Sequence, residues 1–371
     1  MAKKEAYEEV LGRITYAQPA SSQGFAKGAG FSEDWPPAAA HEGEQGRGAA
    51  GRTTPLLSCG GGEHIDNFCE ALLRLKCHCQ GPGDKGTMNT SAAEALQRKE
   101  ANLENFRKYG SDPFGVAVVH GGPGAAGEVA PIARKLGETR GVLEPIQTAR
   151  TLDGQVEELR LVVEQNAAKP VIFIGHSWGA WLSYIVTARY PALVRKLILV
   201  GSGPFEEKYV KLIAENRLRR LSQEEKEEYL HIVDILNTSE TPDSNVFLSR
   251  LGDLVHKADA CDPIEIPEDT TSLDLVDNSG EIYQGVWPEA ARLRRTGELL
   301  RLSVNITCPV VAIHGDCDPH PAQGIQEPLA ANLKDFRMII LEKCGHDPWR
   351  ERHAMDTFYA ILEHELSTGR P

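Results

Sequence analysis

From Val116 onward, short and mainly apolar runs alternate with stretches in which apolar residues recur every three or four positions. Runs at 116–119, 142–146, 171–174, 197–200, 309–313 and 338–341 are bounded by Gly, Pro, His or charged residues, as strands buried on both faces are. Between them, 129–136, the set Leu152, Val156, Leu159 and Val163, 180–189, 327–333 and 352–366 have helical spacing. The helix at 180–189 ends at Tyr190-Pro191, a stop signal. This alternation predicts an α/β fold with a mostly parallel sheet flanked by helices. It stops for about a hundred residues after Gly203: 205–230 is charged and helical, 238–277 is rich in loop residues, and 289–302 is helical again. The expected organisation is one core in two pieces, 88–203 and 304–371, around a helical cap inserted at 204–303.

The first hundred residues have a different texture. Seven of the twenty residues from Gly43 to Gly62 are Gly, and neither period can be read there. Helical islands are expected at 3–14, 65–75 and 92–108, and 1–87 is expected to be a mostly disordered extension. Cys59, Cys69, Cys77 and Cys79 lie in this region with His64 and His78, but C-x₉-C-x₇-C-x-C lacks the paired knuckles of structural zinc, so no metal is expected.

Charge narrows the function classes. The 371 residues carry 53 acidic and 40 basic side chains, a formal charge of −13, which disfavours nucleic acid and anionic membrane surfaces as partners. No run of about 18 apolar residues is present, and the first residues lack the apolar stretch of a secretory signal. Eight cysteines in such a chain read as reduced thiols. A cytoplasmic protein is the expectation.

The chemistry begins at Gly175-His176-Ser177-Trp178-Gly179, a G-x-S-x-G placed between an apolar run and a helix. A serine on so sharp a strand-to-helix turn needs small neighbours two residues away on either side, and the helix aims free amides at the same point. Ser177 is the candidate nucleophile. Such a serine needs a base, and the base an orienting acid, each following a later strand. Cys344-Gly345-His346 follows the last strand and makes His346 the candidate base, with His353 set aside in the next helix. Asp316 and Asp318 compete as the acid. Asp318 is preferred, being two residues further from its strand, where the loop can turn toward His346. His120-Gly121-Gly122-Pro123-Gly124 offers the second half of an oxyanion hole, with the Gly122 and Trp178 amides as donors. Neither phosphate-loop pattern, G-x-x-x-x-G-K or G-x-G-x-x-G, is present.

Together, 120–124, 175–179, 315–318 and 345–346 resemble the signatures of the α/β-hydrolase superfamily, over about 102–366. The resemblance implies the α/β-hydrolase fold, a cap at about 205–303 and a serine hydrolase without cofactor, acting on an ester, amide or short peptide. The HGGPG form is similar to that of proline iminopeptidases, which release an N-terminal residue; those usually carry Gly where His176 stands. A peptidase of that kind would use acidic cap groups to hold a protonated amine, and 204–303 holds 21 acidic against 12 basic side chains. The plainer reading of Glu224, Glu225, Glu227 and Glu228 is the solvated face of a helix. From another class, a non-catalytic ligand-binding protein on the same fold is the alternative, disfavoured because it has no need of a strained serine.

Overall fold

The computed structural model describes residues 105–237, 244–265 and 279–368; the readings made for 1–87, its cysteines included, lie outside them. Seven strands form one sheet: β1 (Phe106–Tyr109), β2 (Phe114–Val119), β3 (Gly141–Pro145), β4 (Val171–His176), β5 (Val194–Val200), β6 (Val310–Gly315) and β7 (Phe336–Leu341). Their order is β1-β3-β2-β4-β5-β6-β7, and every neighbouring pair is parallel except β1 with β3. The α/β sheet expected from the apolar runs is present.

The strands' two-residue period divides the core. Ala117, Val119, Phe173, Leu197, Leu199, Val310 and Ala312 face one layer, packed with Leu152, Val156 and Leu159 of α2 (Leu152–Asn166), with α3 (Trp178–Arg189), and with Ile325 and Leu329 of the helix Gln323–Asn332. Val116, Val118, Ile172, Ile174, Ile198, Val200, Val311 and Ile313 face the other, against Ile132 and Leu136 of α1 (Ala130–Gly137) and Phe358, Ile361 and Leu362 of the final helix, Met355–Ser367. A sheet covered on both faces buries its strands entirely, which is why they read as continuous apolar runs.

Three sequence expectations are corrected. Residues 106–109 are a short strand, where a helix over 92–108 was expected. This Phe-Arg-Lys-Tyr segment carries no apolar run because cross-strand polar contacts hold it: the Tyr109 hydroxyl donates to the buried Glu144 at 2.7 Å, and Arg107 pairs with the same carboxylate. The stretch 238–277 contains a helix of sixteen residues, Ser244–Asp259. Its Leu251, Leu254 and Ala258 form a small core with Leu221, Tyr229, Ile232 and Leu236, a period broken in the sequence by Gly252 and charged neighbours. The helix expected at 289–302 starts at Ser279 and runs through Pro288 to Arg295, so a proline read as a boundary is an interior residue. Between β5 and β6 the longer helices among the described residues are therefore α4 (Val210–Arg220), α5 (Gln223–Asn237), α6 (Ser244–Asp259) and α7 (Ser279–Arg295), followed by a four-residue helix, Glu298–Arg301; the two after β6 and β7 are α8 (Gln323–Asn332) and α9 (Met355–Ser367).

The chain leaves β2 toward one side of the sheet and returns to β4 on the other. A crevice opens outside the carboxyl ends of strands at such a switch point. Here those ends carry His120 and Ser177.

Candidate active site

Ser177 caps α3 with φ 51° and ψ −113°, a left-handed conformation that a side-chain-bearing residue rarely adopts. The flanking glycines make the turn possible. A Cβ on Gly175 would lie 2.3 Å from the Gly179 carbonyl oxygen, and one on Gly179 the same distance from that of Val119. The backbone N–H of Ser177 donates to the Val200 carbonyl at 3.0 Å, tying the elbow to β5. Trp178 and Gly179 begin α3, whose first amides have no intrahelical acceptor.

Ser177 lines a cavity of about 810 Å³ between the strand ends and the helices that follow β5. Trp178, Gly122, His346 and His320 line it as well. Gly122 has φ +103°, and the neighbouring Gly121 amide is already committed, donating to Glu128 Oε2 at 2.9 Å. Asp318 lies on the loop after β6, with its side chain wholly buried, and accepts from His346 Nδ1 at 2.7 Å. Asp316, the other candidate acid, is exposed and accepts the Cys344 amide at 3.1 Å instead. His353 pairs with Asp262, outside the cavity.

Asp318 has more partners than the sequence reading gave it. Its second oxygen receives the His320 backbone N–H at 2.8 Å and His320 Nδ1 at 2.7 Å, and His314 Nε2 is 3.6 Å from the first. His320 stacks on His346 with ring centroids 4.5 Å apart. Burial pushes the Asp318 carboxyl upward, but the three imidazoles, His346 foremost, hold it well below the usual carboxylate range. Burial also pushes His346 down, and there Asp318 prevails and raises it. For His320 burial wins: aided by the nearby His346, it lowers the imidazole to about 4 against the pull of Asp318. A neutral His320 whose Nδ1–H donates to Asp318 leaves Nε2 as an acceptor. The motif His314-Gly315-Asp316-Cys317-Asp318-Pro319-His320 carried this cluster in plain view, without a periodicity to single it out.

His176, which stands where proline iminopeptidases usually carry Gly, is the centre of a second cluster. Its ring is buried edge-on against Trp349 and 4.8 Å from His346. Nδ1 meets Glu128 at 3.1 Å, and Nε2 meets Asp347 at 3.2 Å. Asp347 also pairs with His256 of α6 at 3.4 Å. Burial disfavours the imidazolium, yet the two carboxylates overcome it and raise His176 to about 10. Burial pushes Glu128 and Asp347 up and is likewise outweighed, by His176 for the first and by His176 with His256 for the second, so both stay below their usual range.

The remaining wall is aromatic and aliphatic: Trp181, Tyr283, Trp287, Ile213, Leu248 and Val255. Trp181 and Trp287 are parallel at 6.0 Å, with the Arg294 guanidinium over both. Among the described residues, each carboxylate lining the cavity has a cationic or imidazole partner: Asp259 takes a bidentate pair from Arg217 at 2.7 and 2.6 Å, and Glu128 and Asp347 share His176. Of the acids of α5, Glu224 and Glu227 are exposed, and the half-buried Glu225 and Glu228 pair with Lys257 and Arg250. No helix among the described residues is long and apolar enough to cross a membrane.

Comparison with known proteins follows the same lines. The model of the alpha/beta hydrolase family matches residues 110–360. No curated protein matches in sequence. A putative lipase from Acinetobacter baumannii AYE superposes with a TM-score of 0.52 at 17% identity, over 78% of this chain and 100% of its own. VinJ superposes at 0.56 and 19% identity, over 71% and 94%. The proline iminopeptidase of Mycobacterium smegmatis gives 0.50 at 16% identity, over 70% and 93%. At such identities the likeness is one of fold.

Proposed function

As the chain belongs to the alpha/beta hydrolase family, we propose that it is a serine hydrolase that cleaves a carboxylic ester, amide or short peptide through an acyl-enzyme. One observation carries this reading: the strained Ser177 and the Asp318-bound His346 line the same cavity. Ser177 Oγ attacks the substrate carbonyl. His346 Nδ1 is held by Asp318, so Nε2 is the nitrogen that takes the serine proton and later gives it to the leaving group. The imidazolium formed in that step faces a carboxylate kept ionised by its surroundings. Gly122 and Trp178 supply the amides for the tetrahedral oxyanion, each worth about 3 kcal/mol of transition-state stabilisation. Gly121 does not serve, because Glu128 occupies its amide.

Among the substrate classes, the wall favours an apolar acyl group over a free amino terminus. A protonated amine needs an unpaired carboxylate, whereas those described in the cavity are paired and the α5 acids are the solvated face of their helix. Lipases and a proline iminopeptidase share the fold, and of these the pairing supports the ester-cleaving kind. Ser177→Ala should abolish turnover of short acyl esters while leaving the fold intact; undiminished hydrolysis by that variant would remove the mechanism. An aminoacyl ester and its N-acetylated form should be cleaved at similar rates. A strong preference for the free amine would retain the hydrolase and replace the esterase reading with the aminopeptidase one.

A further inference from the structure

Cys261 follows α6 by two residues, and Cys317 stands between Asp316 and Asp318 on the loop after β6. Fifty-six positions separate them in sequence, yet their Sγ atoms are 2.9 Å apart. Cys261 is exposed and Cys317 half-buried, so a soluble reagent reaches the first. A disulfide is about 2.05 Å long, and closing the gap takes roughly 0.9 Å, within the reach of side-chain rotation.

The backbones at both ends are already fixed at this separation. Glu351, itself buried, accepts the Cys261 and Asp262 amides at 2.8 Å each, and the Gly345 amide at 3.0 Å. The Cys317 amide donates to the Cys344 carbonyl at 2.9 Å. Arg220 clips the two segments directly, donating to the Ala258 carbonyl at 2.8 Å and to the Cys317 carbonyl at 2.5 Å. A cross-link here needs no backbone rearrangement, the usual obstacle to bridging two cysteines.

We infer that Cys261 and Cys317 are a disulfide site that fastens the end of α6 to the loop carrying Asp318. The place matters because this end of α6 already touches the candidate active site: the Asp259 carbonyl accepts the His346 amide at 3.0 Å, and its carboxylate holds Arg217. The oxidant is a low-molecular-weight disulfide such as glutathione disulfide. The Cys261 thiolate attacks it, forming a mixed disulfide and expelling one glutathione thiolate. Cys317 then loses its proton and attacks the Cys261 sulfur, expelling the second. Two protein thiols are oxidised by two electrons, one glutathione disulfide is reduced to two thiols, and no other reactant is needed. The second step is the slow one. Burial and the neighbouring Asp316 push the Cys317 thiol up, so closure should quicken as pH rises.

The test uses the full chain, reduced and then incubated with glutathione disulfide at pH 8, and is independent of the hydrolase reading. Peptide mapping without reductant should recover the segments bearing Cys261 and Cys317 as one linked species. The unfolding midpoint should rise by roughly 5 °C or more over the reduced protein, because a loop of this length is closed. Cys261→Ser and Cys317→Ser should each abolish both the linked species and the rise. Glutathione persisting on Cys261 while Cys317 remains open to alkylation would overturn the inference. So would linkage of either residue to Cys308 or Cys344, or a linked species whose unfolding midpoint does not move.

Discussion

Two histidine–carboxylate clusters meet at His346, and they are wired in opposite senses. On one side a single carboxylate, Asp318, serves His346 and His320, with His314 close by. On the other His176 serves both Glu128 and Asp347, and Asp347 also meets the half-exposed His256. In the first cluster burial keeps His320 neutral, while Asp318 raises His346. The second is locked, since two carboxylates hold one imidazolium far above its usual range. His176 and His346 are both buried, so the balance of carboxylates to imidazoles around each, rather than burial, sets how far it is raised. The locked cluster also has a mechanical task, since its Glu128 fixes Gly121 at the foot of the glycine loop.

Breaking the Asp318 side should have the largest effect on rate. Asp318→Asn should lower kcat by about 10⁴, through the wrong tautomer of His346, with little change in fold. Asp316→Asn should be mild, since its contact is to the Cys344 amide. A reversed ranking in steady-state kinetics would move the acid.

Breaking the His176 side should act on stability first. His176→Gln leaves Glu128 without its cation and Asp347 with His256 alone, at a cost of about 3 kcal/mol, moderated because Glu128 is partly exposed to water. The pH dependence has a definite sign. His176 is raised in the fold from about 6.5, so its contribution is complete below that pH and is lost as pH climbs through about 10. Glu128 and Asp347 are depressed, so theirs is present above pH ~4 and lost on acidification. Urea titrations should show the wild type losing stability from pH ~6.5 to about 10, the window this shift sets, and His176→Gln losing little there. Parallel losses in both proteins would contradict a cationic His176.

These two clusters also show what the sequence could and could not convey. The sheet was legible because strands buried on both faces leave uninterrupted apolar runs, and Ser177 and His346 stood out because an elbow and a strand end have fixed local patterns. β1 was not legible, since polar contacts to Glu144 hold it rather than an apolar run. α6 was missed because Gly252 and acidic neighbours obscure its period. His176 and His320 were passed over for a different reason. Their roles depend on Glu128, Asp347 and Asp318, brought together by the sheet from positions far apart in the chain or turned inward by one loop, and spacing along a sequence does not report that.

Smaller effects sharpen the contrast. His320→Phe keeps the ring beside His346 but removes one N–H from Asp318, and should cost about tenfold in kcat, the worth of one hydrogen bond to a charged group. Because Asp318 raises His346, the acid limb of kcat/KM should lie above pH ~6.5 and shift further upward in that variant, as Asp318 with one donor fewer holds the imidazolium more strongly. An unmoved limb would mean that His320 acts only by filling space. Smallest of all, Glu224→Gln with Glu227→Gln should leave ester turnover unchanged, as both lie on the solvated face of α5.

The central claim is that Ser177 is a nucleophile activated by His346. Labelling the full chain with a fluorophosphonate and mapping the adduct by mass spectrometry tests it most directly, because the reagent phosphonylates a serine only where a base and an oxyanion site act on it together. The account predicts one adduct, on Ser177, absent from Ser177→Ala and slowed by orders of magnitude in Asp318→Asn. No adduct on the folded protein, or an adduct on another residue that survives Ser177→Ala, would contradict it.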